Sequence, residues 1–429
     1  MTPAEQPLAR WSLAKRIGFR FAFVYLVLYF FPFPAGYLPG TDWIRDLVEA
    51  PWNALVPWVG EHVLGVGSEI PNQRTGSGDR LWDYVQTFCL LALAIVGASV
   101  WSVLDARRTH YTRLAAWLRL TLRYALGVVM IDYGLAKIIP TQFVEPGLIA
   151  LLTPLGELSP MGLLWNFMGH STPYATFGGV AEVVGGLLLF FRRTTTLGAL
   201  VVIGVMSNVV MMNLSYDVPV KLYSSHLLLV AVALTLPDAR RLSKVLVLNQ
   251  PTQAVIDEVP WRAPWMDRVA GVTKVLFLGT MLSTQVTGQI EASARQMAMV
   301  RGGEPPLGDY LVESFVREGQ DVPPLVTDES RWQAAVLRGG YLSAMMTSGK
   351  PTHFQVEQDA EKKTFVLTHY LKKEPPRTVS YSMPGPDQLV LEDVTDAARF
   401  TVRLRRTELS RFPLVSRGFH WVNEVPGGQ

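Results

Sequence analysis

Between Tyr124 and Leu236, three long apolar segments carry Asp132, Lys137, Glu182, Asn208, Asn213, Asp217, Lys221 and His226. An ionisable side chain placed in hydrocarbon costs roughly 2.5–3.5 kcal/mol on insertion scales. A chain that puts several of them into successive apolar segments has to pair them or turn them toward a wet cavity. This polar cluster is therefore the first candidate for a functional site, and a membrane is the first candidate for its surroundings.

Composition supports the second point. Of 429 residues, 49% are hydrophobic and only 17% charged, against about 25% charged in soluble proteins. A net charge of +3, with no basic stripe, argues against nucleic acid as a partner. Cys89 is the sole cysteine, so intrachain disulfides, CxxC redox chemistry and cysteine metal clusters are excluded.

The apolar periodicity predicts a mainly helical membrane bundle of about seven transmembrane helices followed by a small antiparallel β-domain. After a basic lead, the spans are expected at 21–37, 84–104, 117–139, 173–191, 197–214, 220–236 and 269–286, the last being the weakest. The first run ends in Pro32 and Pro34 without a small-residue cleavage site, as in a retained signal anchor. Trp43, Trp52 and Trp58 lie along a broken amphipathic helix suited to the headgroup zone or to an ordinary loop. The stretch 141–172, broken by Pro146, Pro154 and Pro160, is expected to be interfacial or re-entrant.

Lysine and arginine set the orientation. They gather at Arg10–Arg20, Arg107–Arg113, Arg192–Arg193 and Arg240–Lys244, whereas 140–172 has none. The alternation predicts a cytoplasmic N-terminus, seven crossings and an extracytoplasmic C-terminus. In that frame Asp132, Tyr133, Lys137, Glu182, Asn208, Asn213, Asp217, Lys221 and His226 all fall between the bilayer centre and its outer surface. The expectation is one polar cup opening outward with Glu182 at its floor. Glu182, His226, Lys137 and Lys221 are the candidate catalytic residues, and Asp132, Tyr133, Asn208, Asn213 and Asp217 the candidate ligand-binding ones; no metal-ligand set is expected. The bland alternatives are local ion pairs for Asp132, Lys137, Asp217 and Lys221, and interhelical hydrogen bonds for the asparagines. The glycines of GGVAEVVGG are accounted for by helix packing, and Met206, Met211 and Met212 by core or lipid contact.

The last 139 residues, 291–429, change character. Alternating runs at 340–346, 353–357, 364–370, 378–383 and 399–404, separated by turn residues such as SGKP and PGPD, predict a barrel or sandwich. Near the end, RGFHWVNE (Arg417, His420, Trp421, Glu424) reads as a final strand or as a cover for a cavity mouth. The domain plan is 1–110, a transmembrane hairpin with its Trp-rich segment; 111–249, a helical module; 250–290, linker and last helix; and 291–429, the β-domain. GxGxxG, P-loop, HExxH and GxSxG strings are lacking, which leaves nucleotide, zinc-protease and serine-hydrolase readings without support.

The strings YGLAKIIPTQF, PLGELSPMGLLWNFMGHS, GGVAEVVGGLLLFFRRTT and SNVVMMNLSYDVPVKLYSSHLLL together resemble the DoxX-like membrane family, over roughly Arg119–Asn249. Gly134 with Lys137, and Glu182 followed by Gly185 and Gly186, match its pattern. The resemblance implies a four-helix membrane module in a bacterial inner membrane; the family is named after a membrane subunit of a thiosulfate:quinone oxidoreductase. The tail resembles those of larger uncharacterised bacterial members. Three functions remain open. The first is a redox component binding a quinone or related lipid carrier in the cup, with a partner protein carrying electrons. The second is a non-enzymatic binder or transporter whose β-domain receives the ligand, and the third an assembly factor docking a periplasmic protein. The sequence carries no covalent or metal cofactor motif.

Overall fold

The computed structural model describes residues 10–67, 70, 75–253, 263–300, 306–395 and 399–422. In chain order its helices are α1 (Leu13–Phe30), α2 (Asp42–His62), α3 (Leu81–Leu104), α4 (Thr112–Ile138), α5 (Leu148–Leu152), α6 (Pro160–His170), α7 (Thr172–Leu189), α8 (Thr195–Ser215), α9 (Lys221–Thr235), α10 (Ala239–Leu246), α11 (Pro264–Val300) and α12 (Pro413–Ser416). The strands are β1 (Gly308–Arg317), β2 (Gln320–Asp321), β3 (Trp332–Arg338), β4 (Tyr341–Met346), β5 (Pro351–Asp359), β6 (Thr364–His369), β7 (Arg377–Gly385), β8 (Gln388–Asp393) and β9 (Phe400–Arg406). Two compact units result: Met1–Ile138 with Thr176–Gln289, and Ile139–Ala175 with Ile290–Gln429.

The first unit is a helical bundle. Leu26, Leu126, Met130, Val202, Met206 and Leu227 form the centre of its core. Among the described residues, five helices are long and apolar enough to cross a membrane: α3, α4, α8, α9 continuing into α10, and α11. In α3 the apolar residues run all round, and Leu93, Ile95, Val96, Val100 and Val103 remain exposed. A helix apolar on every face, with its outer face uncovered by the chain, is accounted for by lipid. Sequence and structure differ at α1, which begins at Leu13 and draws Arg20 out of the expected basic lead. Arg20 is buried, donating to the Tyr111 hydroxyl (2.7 and 2.9 Å), Ser102 Oγ (2.9 Å) and the Asp105 carbonyl (2.8 Å). A buried guanidinium stays stable because its donors are matched, and here they tie α1 to the α3–α4 turn. The Trp-rich segment is one continuous helix, α2, despite Pro51 and Pro57. Val56 and Val59 pack with Val85 and Cys89 of α3, while Trp43 and Trp58 stay exposed.

The second unit is a β-barrel. Antiparallel pairing runs β2-β1-β3-β4-β5-β6-β7-β8-β9, and β1 also pairs with β9, so the eight longer strands close on themselves and β2 is a two-residue appendage. Closure resolves the barrel-or-sandwich alternative and removes free edges. The interior is filled by side chains, with Phe315 stacked on Phe400, Trp332 tilted against both, and Leu342, Phe365, Val379, Leu391 and Val402 in the same core. The stretch expected to be re-entrant belongs here: Leu148, Ile149 and Leu152 of α5 pack on Ala334, Val336 and Met345. The outer face of β3 and β4 is thus covered as well as the inner one. The expected final strand at RGFHW is absent; β9 ends at Arg406, and 417–422 lie outside any strand. Glu424 falls outside the described residues.

Candidate functional site

Two glycine pairs bring α4 and α7 into backbone contact. A Cβ added to Gly134 would stand 2.5 Å from the Gly179 carbonyl oxygen, and one on Gly179 2.6 Å from that of Gly134. One turn pair further in, Gly127 and Gly186 face each other in the same way, with 2.8 Å from a Gly186 Cβ to the Gly127 oxygen. Only hydrogen at these positions permits the approach. Glu182 sits on the same face between Gly179 and Gly186, and the approach brings Lys137 to it: Nζ donates to Oε2 at 2.8 Å and to Oε1 at 3.0 Å. Both side chains are buried, Glu182 to 1% exposure. Lys137 also reaches the Tyr133 carbonyl (3.4 Å) and lies 5.7 Å from the Tyr133 ring centroid. Of the partners open to Lys137 from sequence, the fold selects Glu182.

The remaining expected cup residues are distributed among separate local contacts. His226 Nδ1 donates to the Leu222 carbonyl at 2.7 Å, and Nε2 shares a hydrogen bond with the Tyr25 hydroxyl at 2.6 Å. The imidazole also stacks on Tyr29 (4.5 Å between centroids). Its bonds hold α9 against α1. Asn213 donates to Ser224 Oγ at 3.0 Å within the α8–α9 pair. Asp217 is exposed in the α8–α9 turn at φ +50° and pairs with Lys221 at 2.7 Å. Asn208 is exposed on α8. The single cup with Glu182 at its floor is therefore replaced by a buried ion pair, an aromatic-histidine clamp and a polar turn. Asp79, which sequence reasoning passed over, organises that turn by accepting from the backbone N–H of Lys221 (2.8 Å) and Leu222 (2.9 Å) and so capping α9.

Asp132 alone of the nine lines a cavity found in the bundle. That cavity has a volume of about 620 Å³ and is bounded by the ends of α1, α2, α3, α4 and α9, within the roughly 300–1,000 Å³ usual for small-molecule sites. Leu28, Leu90, Ala125, Val129 and Leu222 supply apolar wall; Tyr29, Phe30, Phe33, Tyr37, Trp52 and Tyr223 supply rings; Arg45, Asp83, Gln86, Thr87 and Asp132 supply polar groups. Asp83 is already engaged, accepting from Arg80 N (2.9 Å), Nε (3.0 Å) and Nη2 (2.9 Å). Asp132 hydrogen-bonds Gln289. Tyr133, the neighbour of Asp132, stands between this cavity and the ion pair, its ring 6.2 Å from that of Tyr223. Arg45 lies over Gly36, where the left-handed backbone (φ +85°) and the guanidinium stem leave no room for a Cβ.

The arrangement is suited to holding a molecule with an apolar part and a compact polar head. Tyrosine hydroxyls and a guanidinium donate to carbonyl or phosphate oxygens, and aromatic faces take planar rings or cations. Sequence reasoning missed Tyr29, Tyr37, Arg45, Trp52 and Tyr223, although clustered aromatic residues near the ends of the first span were visible. Their convergence depends on how α1–α3 pack against α4 and α9.

No family model matches the chain, and no solved structure matches it. One curated protein does: the uncharacterized protein YwoB of Bacillus subtilis (strain 168) is 32% identical over 124 residues, which are 28% of this chain and 77% of that protein. On that identity and coverage, the chain belongs to the same family as YwoB.

Proposed function

We propose that this chain is a multi-pass membrane protein, DoxX-like in α4 and α7–α9, that binds a lipid-soluble amphipathic molecule of the quinone or lipid-carrier class. The observation carrying the proposal is the 620 Å³ cavity with apolar depth, aromatic walls and a polar rim. The state of the expected catalytic groups supports binding over chemistry by this chain alone. Glu182 and Lys137 neutralise each other, and both ring nitrogens of His226 are occupied. A redox role would place electron transfer on a partner protein. The filled barrel interior speaks against storage of the ligand there.

The topology we propose has seven crossings, α1 and α7 included, with the N-terminus cytoplasmic. Residues 139–175 lack lysine and arginine and so belong outside by the charge rule. They pack with the barrel in one compact unit, which brings the barrel to the same extracytoplasmic side and requires α11 to cross. The cavity, at the C-terminal ends of α1 and α4 and the N-terminal ends of α3 and α9, then lies in the outer leaflet. Arg240, Arg241 and Lys244 of α10 fall on the cytoplasmic side, which is consistent. The test is mass spectrometry of small molecules released from the purified protein, compared with a variant whose cavity is filled by Ala125→Phe. Binding predicts an amphiphile at near-equal molar amount in the wild type and its loss in the folded variant. Equal amounts in both, or none in either, refute it.

A further inference from the structure

The charges on the cavity wall narrow the ligand class. Resting on the proposed binding role, we infer that the cavity receives a zwitterionic phospholipid head group of the phosphoethanolamine type, with Arg45 toward the phosphate and Asp132 toward the ammonium. Among the described residues, three charged side chains line the cavity: Arg45, Asp83 and Asp132. Asp83 is satisfied by Arg80. That leaves the Arg45 guanidinium and the Asp132 carboxylate; Gln289 hydrogen-bonds Asp132, and among the described residues neither charge is matched by an opposite charge in a salt bridge. Tyr37 lines the same cavity.

A neutral ligand such as a quinone would fill the volume and leave both charges without a counter-charge. A purely anionic head would satisfy Arg45 and face Asp132 with repulsion. A head group with one anion and one cation matches both ends. The guanidinium fork fits two phosphate oxygens. The ammonium would lie against Asp132 and the faces of Tyr37 and Tyr223, the aromatic surroundings in which cations are held well. Leu28, Leu90 and Val129 would take the first part of the acyl chains.

The experiment uses the full-length protein in detergent, with native mass spectrometry of added dioleoyl phosphatidylethanolamine, dioleoyl phosphatidylglycerol and a short-chain ubiquinone, and glycerophosphoethanolamine as a soluble competitor. The expected result is retention of the phosphatidylethanolamine at least about tenfold above the phosphatidylglycerol, since a mispaired charge at a desolvated contact costs that much or more. Asp132→Asn should bring the ratio close to one, whereas Arg45→Gln should weaken both lipids and preserve the ratio. Unaltered thermal melting serves as the folding control. If Asp132→Asn fails to fold, the wild-type ratio decides alone. Equal retention of the two lipids, or a ratio that Asp132→Asn leaves unchanged in a folded protein, overturns the inference. Full displacement by glycerophosphoethanolamine at equal concentration overturns the lipid source in favour of a soluble zwitterion. Retention of the quinone with neither lipid overturns this inference and leaves the binding role standing, while retention of none overturns both.

Discussion

Removing one partner from the Lys137–Glu182 pair should be far more harmful than removing both. The two side chains are 8% and 1% exposed, and Nζ contacts both carboxylate oxygens at 2.8 and 3.0 Å. Neither has solvent to fall back on. Breaking a buried pair by deleting one charge typically costs about 3–5 kcal/mol, because the survivor stays buried without compensation. Replacing both by apolar groups of similar size is often close to neutral. Lys137→Met and Glu182→Leu should therefore each lower unfolding stability by about 3–5 kcal/mol. Lys137→Met combined with Glu182→Leu should lie within about 1–2 kcal/mol of the wild type. The assay is equilibrium unfolding in mixed micelles with increasing denaturing detergent, followed by far-UV circular dichroism, and the cycle isolates the coupling. Single variants as stable as the wild type, or a double variant as unstable as the sum of the singles, would refute the reasoning that the pair is held by mutual neutralisation.

Further outcomes follow from the same geometry. Gly134→Ala and Gly179→Ala force a Cβ against an opposing carbonyl oxygen at 2.5–2.6 Å, and each should cost about 1–3 kcal/mol by overpacking in the same unfolding assay. Leu148→Ala should weaken the α5–barrel contact by about 2–5 kcal/mol, seen as faster hydrogen exchange in 139–153 and β3–β4, because Leu148 is wholly buried there. Burial, and then the neighbouring His369, hold the His353 imidazole below its ordinary value, while Nδ1 lies 2.8 Å from Ser343 Oγ. The folded barrel thus binds the proton less readily than the unfolded chain. Its stability is unaffected above about pH 6.5 and declines as pH falls through that value toward the lower folded one. Hydrogen exchange in β5–β6 should show this decline as pH falls below about 6.5, and His353→Gln should flatten it; an unchanged slope would contradict the assignment.

Much of the architecture was legible because local rules suffice for it. The runs that became β4, β5, β6, β7 and β9 alternate and are punctuated by SGKP and PGPD. Strand β3 was not legible. Ala334 and Val336 face α5 while Ala335 and Leu337 face the barrel interior, so WQAAVLR is apolar on both faces and loses the period-two signal. Its neighbour β1 is interrupted by a register shift between Val312 and Ser314, which breaks the alternation there. The candidate site was legible in parts. Glu182 stood out as an acid far from any span end, and its glycine frame announced a close crossing. That Lys137 is its partner depends on Gly134 meeting Gly179 across the helix pair, which one-dimensional depth cannot supply. Depth also misled: residues in the same half of a span but on different faces of one helix, such as exposed Asn208 and buried Asn213, do not share a cavity. Arg45 and Trp52 read as loop and interface residues because their place in the cavity wall is set by how α2 lies on α1 and α3.

Photoaffinity labelling with a diazirine-bearing phospholipid or quinone, mapped by peptide mass spectrometry, most directly tests whether the cavity is the binding site. The account predicts adducts on the peptides bearing Tyr29–Tyr37, Arg45–Trp52, Gln86–Leu90 and Leu222–Tyr223, lost on filling the cavity with Ala125→Phe. Adducts concentrated around Glu182, or spread evenly over the lipid-facing helices and insensitive to that substitution, would contradict it.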